Sequence, residues 1–340
     1  MNNQHIKNIL KKMDEKDYDG YLLGQFTNIA YISNYFPTSF AFCIIKEDPI
    51  IFTSKMDMEN AKNSSSIDIV EFESFSKMNE LLKSENISKI AIEPSLDIAT
   101  YKKLQNDFNL DIETFVNNER MIKSKEEILK ITKAAEIAQK SFKQLDILNN
   151  KNKTEAELSY ELGKLMRFHG AQKESFDTIF ATGKKSSLPH SIPQNIPLED
   201  LTLVDWGAKF EGYCSDNSRT IISSEKENEI FEIVLEAHNK AIKAIKPGLK
   251  CSDIDKVARD IISDYGYKDN FIHSTGHSLG LDIHESPNFS TKDDTIIEKD
   301  MVITVEPGIY LEDEFGIRIE DTIHIQNKGK IIGNLEHIID

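Results

Sequence analysis

Residues 301–321 read MVITVEPGIYLEDEFGIRIED, and this stretch constrains the fold more than any other. Val302, Ile303, Thr304 and Val305 are all β-branched, which favours a strand over a helix. Pro307 holds Glu306 in extended backbone, and Gly308 is expected to let the chain turn. A second strand, residues 316–320, would then run back. Side chains alternate faces along a strand, so Arg318 and Glu320 point one way and Ile317 and Ile319 the other. The reading is a hairpin with one carboxylate at the end of each arm. Hairpins commonly carry charges on their solvated face. Glu306, however, follows directly on a largely apolar run and is expected to be buried or to line a pocket.

Residues 201–220, LTLVDWGAKFEGYCSDNSRT, repeat the arrangement. A strand over 203–206, a turn within 207–212 and a returning strand over 213–220 place Asp205 and Asp216 on the two arms. Between the hairpins lies GHSLGLDIHE, residues 276–285, with His277 and His284. Four carboxylates and an imidazole form a hard ligand set that suits Mn²⁺, Co²⁺, Fe²⁺ or Zn²⁺ better than the soft ions a thiolate site selects.

These segments resemble the metallopeptidases of the pita-bread fold, a family that includes Xaa-Pro dipeptidase (prolidase), aminopeptidase P and methionine aminopeptidase. Asp205, Asp216, His277, Glu306 and Glu320 match its five ligand positions in order, within VDWGA, YCSDNSRT, STGHSLGLDIHESP, ITVEPGIY and GIRIEDT. The resemblance also takes in residues 187–190, SLPH, as the segment of an active-site histidine, His190, and RMIKSKEEI, residues 120–128, as the join between two domains. It implies an α+β protein: a pita-bread (creatinase/aminopeptidase) catalytic domain over residues 121–340, preceded by a smaller mixed α/β creatinase-like domain over 1–120 that serves dimerisation and active-site closure. Methionine aminopeptidases lack that smaller domain.

The roles implied are specific. Asp205 would hold one ion, Asp216 and Glu320 would bridge two, and His277 and Glu306 would complete the second. Glu306 would also manage the proton of the attacking water. His190 and His284 would donate hydrogen bonds to the substrate carbonyl, and Arg318 would orient a ligand carboxylate or the substrate. Tyr310 would line the pocket. Two carboxylates ~4 Å apart repel by about 4 kcal/mol at an effective dielectric of 20, so four of them converging require protonation or cations, and two divalent ions would balance the set. Mn²⁺ is the expected metal, with Co²⁺, Zn²⁺ or Fe²⁺ as alternatives. The expected reaction is hydrolysis of the Xaa-Pro bond of dipeptides. The alternatives are an aminopeptidase P acting on longer peptides with proline second, and a pita-bread binding module without activity. The complete ligand set weighs against the last. A homodimer is implied, with the aromatic run 34–40, NYFPTSF, either reaching a partner's pocket or packing on its own domain.

Two positions depart from the family pattern. Asn217-Ser218 stands where Ile-Thr is common, and Ser286 gives HESP in place of HEEP. Neither removes a ligand; both bear on specificity.

Composition agrees with an intracellular enzyme. The 340 residues exceed one small core, which favours two domains. A net charge of −16 argues against nucleic acid and anionic membranes as partners. The three cysteines, Cys43, Cys214 and Cys251, are widely spaced and suggest a reducing compartment, so a cytoplasmic location is expected. No apolar run approaches the ~18 residues of a membrane span.

Elsewhere the pattern predicts strands over 21–32, 40–45, 50–52 and 90–92 and a helix between Asp97 and Phe108. Ser124/Glu127 and Thr154/Glu157 have capping-box spacing, and Ser252 and Asp255 are expected to open a further helix. His5 is expected at the surface, His238 at a core or boundary position, and Asp321 either behind the ligands or in solvent.

Overall fold

The computed structural model describes residues 2–338. The chain divides into two units, Met1–Arg120 and Met121–Asp340.

In the first unit a six-stranded sheet runs in the order Asp68–Glu71, Ile50–Thr53, Ala41–Ile45, Gly20–Leu23, Lys89–Ile92, Asn109–Ile112. The central strand pairs antiparallel with Ala41–Ile45 and parallel with Lys89–Ile92, so the sheet is mixed. Leu22, Phe42, Ile44, Phe52 and Ile90 pack with Met78, Leu82 and Leu104 of the covering helices.

Three expectations are corrected here. Residues 21–32 are not one strand: it stops at Leu23, and a helix, Phe26–Ser33, follows. The Gly24 N–H donates to the buried Glu93 carboxylate at 2.6 Å, as does that of Gln25, which satisfies the chain where the strand breaks off. A short apolar run does not by itself distinguish a buried helix from a strand. The helix capped by Asp97 ends at Leu104 rather than near Phe108. His5 is tucked against Tyr31, with ring centroids 4.6 Å apart, and its side chain is only 16% exposed. In the aromatic run, Tyr35 is fully buried and its hydroxyl donates to Asp57 at 2.9 Å. Asp57 also accepts from Thr38 and Ser39, so half of this run is locked onto its own unit. Phe36 and Phe40 stay exposed.

The second unit is built on two antiparallel ribbons covered by long helices. Lys125–Leu145 and Glu155–Phe168 begin with the two capping boxes expected, and Glu225–Ala244 begins with a third, Ser224/Glu227. Cys251–Asp264 starts before Ser252: Asp253 accepts from the Lys250 N–H, while Asp255 is buried and paired with Arg259. Ile230, Val234 and Ala237 of one helix and Ile254, Ala258 and Ile262 of the next pack on Ile303, Ile317 and Ile323. On the other side, Phe142 stacks on Trp206 at 4.0 Å.

Both ribbons are interrupted in the same way. The first runs Thr202–Trp206, Ala208–Phe210, turns at Glu211 and Gly212, and returns as Tyr213–Cys214 and Asn217–Ile221. The second runs Val302–Val305 and Gly308–Leu311, then returns as Phe315–Arg318 and Asp321–Ile325. The expected turn at Gly308 is therefore absent. The chain continues as a strand there, because residues 308–311 are apolar and mostly buried, and it reverses at the polar tip 312–314, where Asp313 has φ 59°. The breaks fall at Asp216, Glu306 and Glu320. A bridge between Ser218 and Glu320 joins the two ribbons, with the Glu320 N–H donating to the Ser218 carbonyl at 3.1 Å.

Candidate metal centre

Strand breaks release side chains from strict alternation, so three carboxylates can turn toward one point. Asp216, His277 and Glu320 each present a ligand atom, all within 4.8 Å of one another and all on buried residues. His277 Nε2 lies 3.6 Å from Asp216 Oδ2 and 3.5 Å from Glu306 Oε1. Asp205 reaches the cluster through Arg318, whose Nη2 donates to Asp205 Oδ2 at 2.6 Å. Arg318 Nε also donates to Ser218 Oγ, which donates to Glu320 Oε2, so Asp205 is linked to Glu320 through Arg318 and Ser218.

Backbone contacts are close where the histidine enters. A Cβ on Gly276 would lie 1.9 Å from the Thr304 carbonyl oxygen, so only glycine lets these strands approach so closely. Thr304 uses that proximity: its hydroxyl accepts from the His277 N–H at 3.0 Å and donates to Glu306 at 3.3 Å. His277 Nδ1 faces the Ser278 carbonyl at 3.1 Å. A carbonyl only accepts, so Nδ1 carries the proton and the Nε2 lone pair faces the carboxylates.

The charge balance is lopsided. Burial and the neighbouring Glu320, Asp205 and Glu306 push the Asp216 carboxyl well above its ordinary range. Burial, then Glu306 and Asp205, do the same to Glu320, and burial raises Glu306. Burial alone would lower Arg318, but Tyr310, Asp205, Glu306 and Glu320 hold it firmly protonated. One guanidinium does not neutralise four carboxylates. Among the described residues, Asp205 Oδ1, Asp216 Oδ1 and Glu320 Oε1 are buried with no hydrogen-bond partner. Unpartnered buried carboxylate oxygens facing an imidazole lone pair fit divalent cations.

Around this set stand the other residues. The His284 ring lies 4.4 Å from that of His277, and burial together with His277 lowers its pKa, so it is a neutral donor. His190 is exposed, yet near enough for its charge to act on His284. The Tyr310 hydroxyl accepts from Arg318 Nη1 at 2.8 Å and lies 2.9 Å from His273 Nε2. Burial pushes that hydroxyl up to about 12, so it stays protonated. His273 carried no signal in the sequence. Thr304 did: it stands two residues before Glu306 on a strand and therefore shares its face. Asp321 is not solvated; it is buried and paired with Arg219 at 2.7 Å, next to Glu320 in the chain. Cys214 is buried with its thiol pushed up to about 11, an inert group beside the site.

Comparison with known proteins shows the family. Residues 129–327 match the profile of metallopeptidase family M24, and residues 5–123 match that of the creatinase/prolidase N-terminal domain. The Xaa-Pro dipeptidase of Pyrococcus furiosus is 38% identical over 336 residues, covering 96% of each chain. The crystal structure of the prolidase from Pyrococcus horikoshii OT3 is similar with a TM-score of 0.94 at 36% identity, covering 98% of this chain and 99% of that one. The X-Pro aminopeptidase from Thermotoga maritima gives 0.92 at 30% identity, covering 98% of each.

Proposed function

This chain belongs to metallopeptidase family M24, with the pita-bread fold behind a creatinase-like N-terminal domain, and from that premise we propose that it is an Xaa-Pro dipeptidase working with two divalent ions. The carrying observation is the cluster of Asp216, His277 and Glu320, whose ligand atoms lie within 4.8 Å of one another beside three unpartnered carboxylate oxygens. Asp205 would hold one ion, Asp216 and Glu320 both, and His277 and Glu306 the other. Mn²⁺ is the expected ion, with Co²⁺, Zn²⁺ or Fe²⁺ fitting the same donors. Bound there, the ions supply charge neutralisation and an activated water.

The protein's own groups do the rest. Glu306 would take the proton of the attacking water and pass it to the departing proline nitrogen. His284 and His190 donate to the substrate carbonyl oxygen as negative charge gathers on it. Arg318 fixes Asp205 from behind and is itself held by Ser218 at 2.8 Å and Tyr310 at 2.8 Å. The first unit serves a homodimer, with Phe36 and Phe40 as its exposed aromatic contacts. A cytoplasmic location accords with three free, buried cysteines. Among the described residues no helix is long and apolar enough to cross a membrane.

The similarity to an X-Pro aminopeptidase supports a second reading, cleavage of longer peptides. Rates on Ala-Pro and on Ala-Pro-Ala-Ala decide between them. A dipeptidase hydrolyses the first at least tenfold faster in kcat/KM; the reverse ratio makes the chain an aminopeptidase P.

A further inference from the structure

Behind the ribbon that carries Glu320, three side chains meet that have no part in the chemistry described above. His238 projects from the helix Glu225–Ala244, Asp321 opens the strand Asp321–Ile325, and His337 follows the last strand. His238 is fully buried, Asp321 is 1% exposed, and the His337 side chain is 24% exposed, so the group is open to solvent on the His337 side. One nitrogen of each ring and one oxygen of the carboxylate lie within 4.8 Å of one another. His337 Nε2 is 2.9 Å and His238 Nε2 3.2 Å from the same atom, Asp321 Oδ2.

The cluster is more than a hydrogen-bonded triad. His238 Nε2 lies 3.2 Å from Asp321 Oδ2 and feels that carboxylate, but among the described residues neither nitrogen of this fully buried ring completes a hydrogen bond of good geometry. Buried polar atoms left this way require an explanation, and an ion is one. The other oxygen of Asp321 is already engaged by Arg219 Nη2 at 2.7 Å. Arg219 spends its remaining donors on the carbonyls of Ser218, Glu320, Leu335 and Glu336, so it holds Asp321 in place and leaves Oδ2 to face the two imidazoles. Burial lowers the pKa of His238, which keeps its lone pair available. Ligand atoms at about 2.0–2.2 Å from a tetrahedral ion are roughly 3.4 Å apart; here the two nitrogens lie 2.9 and 3.2 Å from Oδ2, the shorter contact being a hydrogen bond whose proton an ion would displace.

We propose that His238, Asp321 and His337 form a separate mononuclear site for a borderline divalent ion of the zinc class, with solvent as the fourth ligand on the His337 side. Two imidazoles and a carboxylate suit Zn²⁺, Ni²⁺ or Cu²⁺ better than the harder, oxygen-rich set around Glu320 does. The ion ties the C-terminal segment carrying His337 to the strand that begins immediately after Glu320, and so braces the ribbon from its far side. His337 lies outside the residues that match the family profile, which end at 327.

The test uses the full chain equilibrated with buffered free Zn²⁺, with zinc counted per chain by mass spectrometry. The native protein is expected to hold one zinc more than either His337→Ala or His337→Gln, whatever number resides at the first centre. Both variants should keep peptidase activity once loaded. Crystals of the native protein grown with Zn²⁺ provide a measurement that needs no variant: anomalous scattering at the zinc edge should show a peak among the three side chains. Equal zinc content in native and variant proteins, or zinc-edge peaks confined to the Asp216–Glu320 cluster, overturns the proposal.

Discussion

Ser218 Oγ donates to Glu320 Oε2 across 2.8 Å while accepting from Arg318 Nε at 2.8 Å. One hydroxyl thus ties a carboxylate of the cluster to the guanidinium that steadies Asp205. In Ser218→Ala, Glu320 and Arg318 each lose a buried partner, at a cost of about 1–3 kcal/mol. We expect kcat/KM to fall about tenfold and the melting temperature to drop, whereas Ser218→Thr, which keeps the hydroxyl, retains both. Steady-state kinetics and calorimetry check this; a Ser218→Ala enzyme with native kcat/KM would mean the hydroxyl does not position the site.

Asn217, one residue earlier, points to the opposite face. It is fully buried opposite Trp206, and neither atom of its amide finds a hydrogen-bond partner among the described residues. Leaving such a group unpaired costs on the order of 1–3 kcal/mol. Asn217→Val, a β-branched residue suited to a strand, is expected to raise Tm by about 2–4 °C with turnover unchanged. A lower Tm by differential scanning calorimetry would show that the amide is satisfied in solution.

In the proposed mechanism His284 serves catalysis without holding metal. His284→Ala should bind ions as the native protein does, while kcat/KM falls about 10²–10³-fold, the usual cost of one oxyanion donor. Loss of metal from this variant, counted by mass spectrometry, would make His284 a ligand.

Chelated protein should become less stable as pH rises. The carboxyls of Asp216 and Glu320 are raised by burial from ordinary values of 3.8 and 4.5, so their neutral forms favour the folded state. That contribution is fully present below those ordinary values and is lost as pH rises through the higher folded ones. Divalent ions remove the repulsion. The gap in Tm between metal-loaded and chelated protein is therefore expected to widen from pH 5 to pH 8. A constant gap would mean that these carboxyls do not carry the strain.

The site was more legible in the sequence than the elements that hold it. Asp205, Asp216, His277, Glu306 and Glu320 each stand beside a glycine, a proline or a strand end, which are local signals. Glycine after proline reads as a turn at Gly308, whereas burial of Ile309 and Tyr310 extends the strand and moves the reversal to residues 312–314. The pattern over 21–32 reads as one strand, because what ends it at Leu23, the pairing of Glu93 with the amides of Gly24 and Gln25, spans about seventy residues of sequence. His273, Arg219 and the environment of Asp321 left no local pattern, since their partners come from distant strands.

The central claim is that an Xaa-Pro dipeptide is hydrolysed at a metal centre held by these five residues. The most direct measurement is the rate of proline release from Ala-Pro by one preparation, assayed after exhaustive chelation and again after addition of Mn²⁺, with metal content determined at each stage. The account predicts no detectable release from the metal-free protein and restored turnover once about two ions per chain are bound. Full activity in protein shown to be metal-free would contradict it.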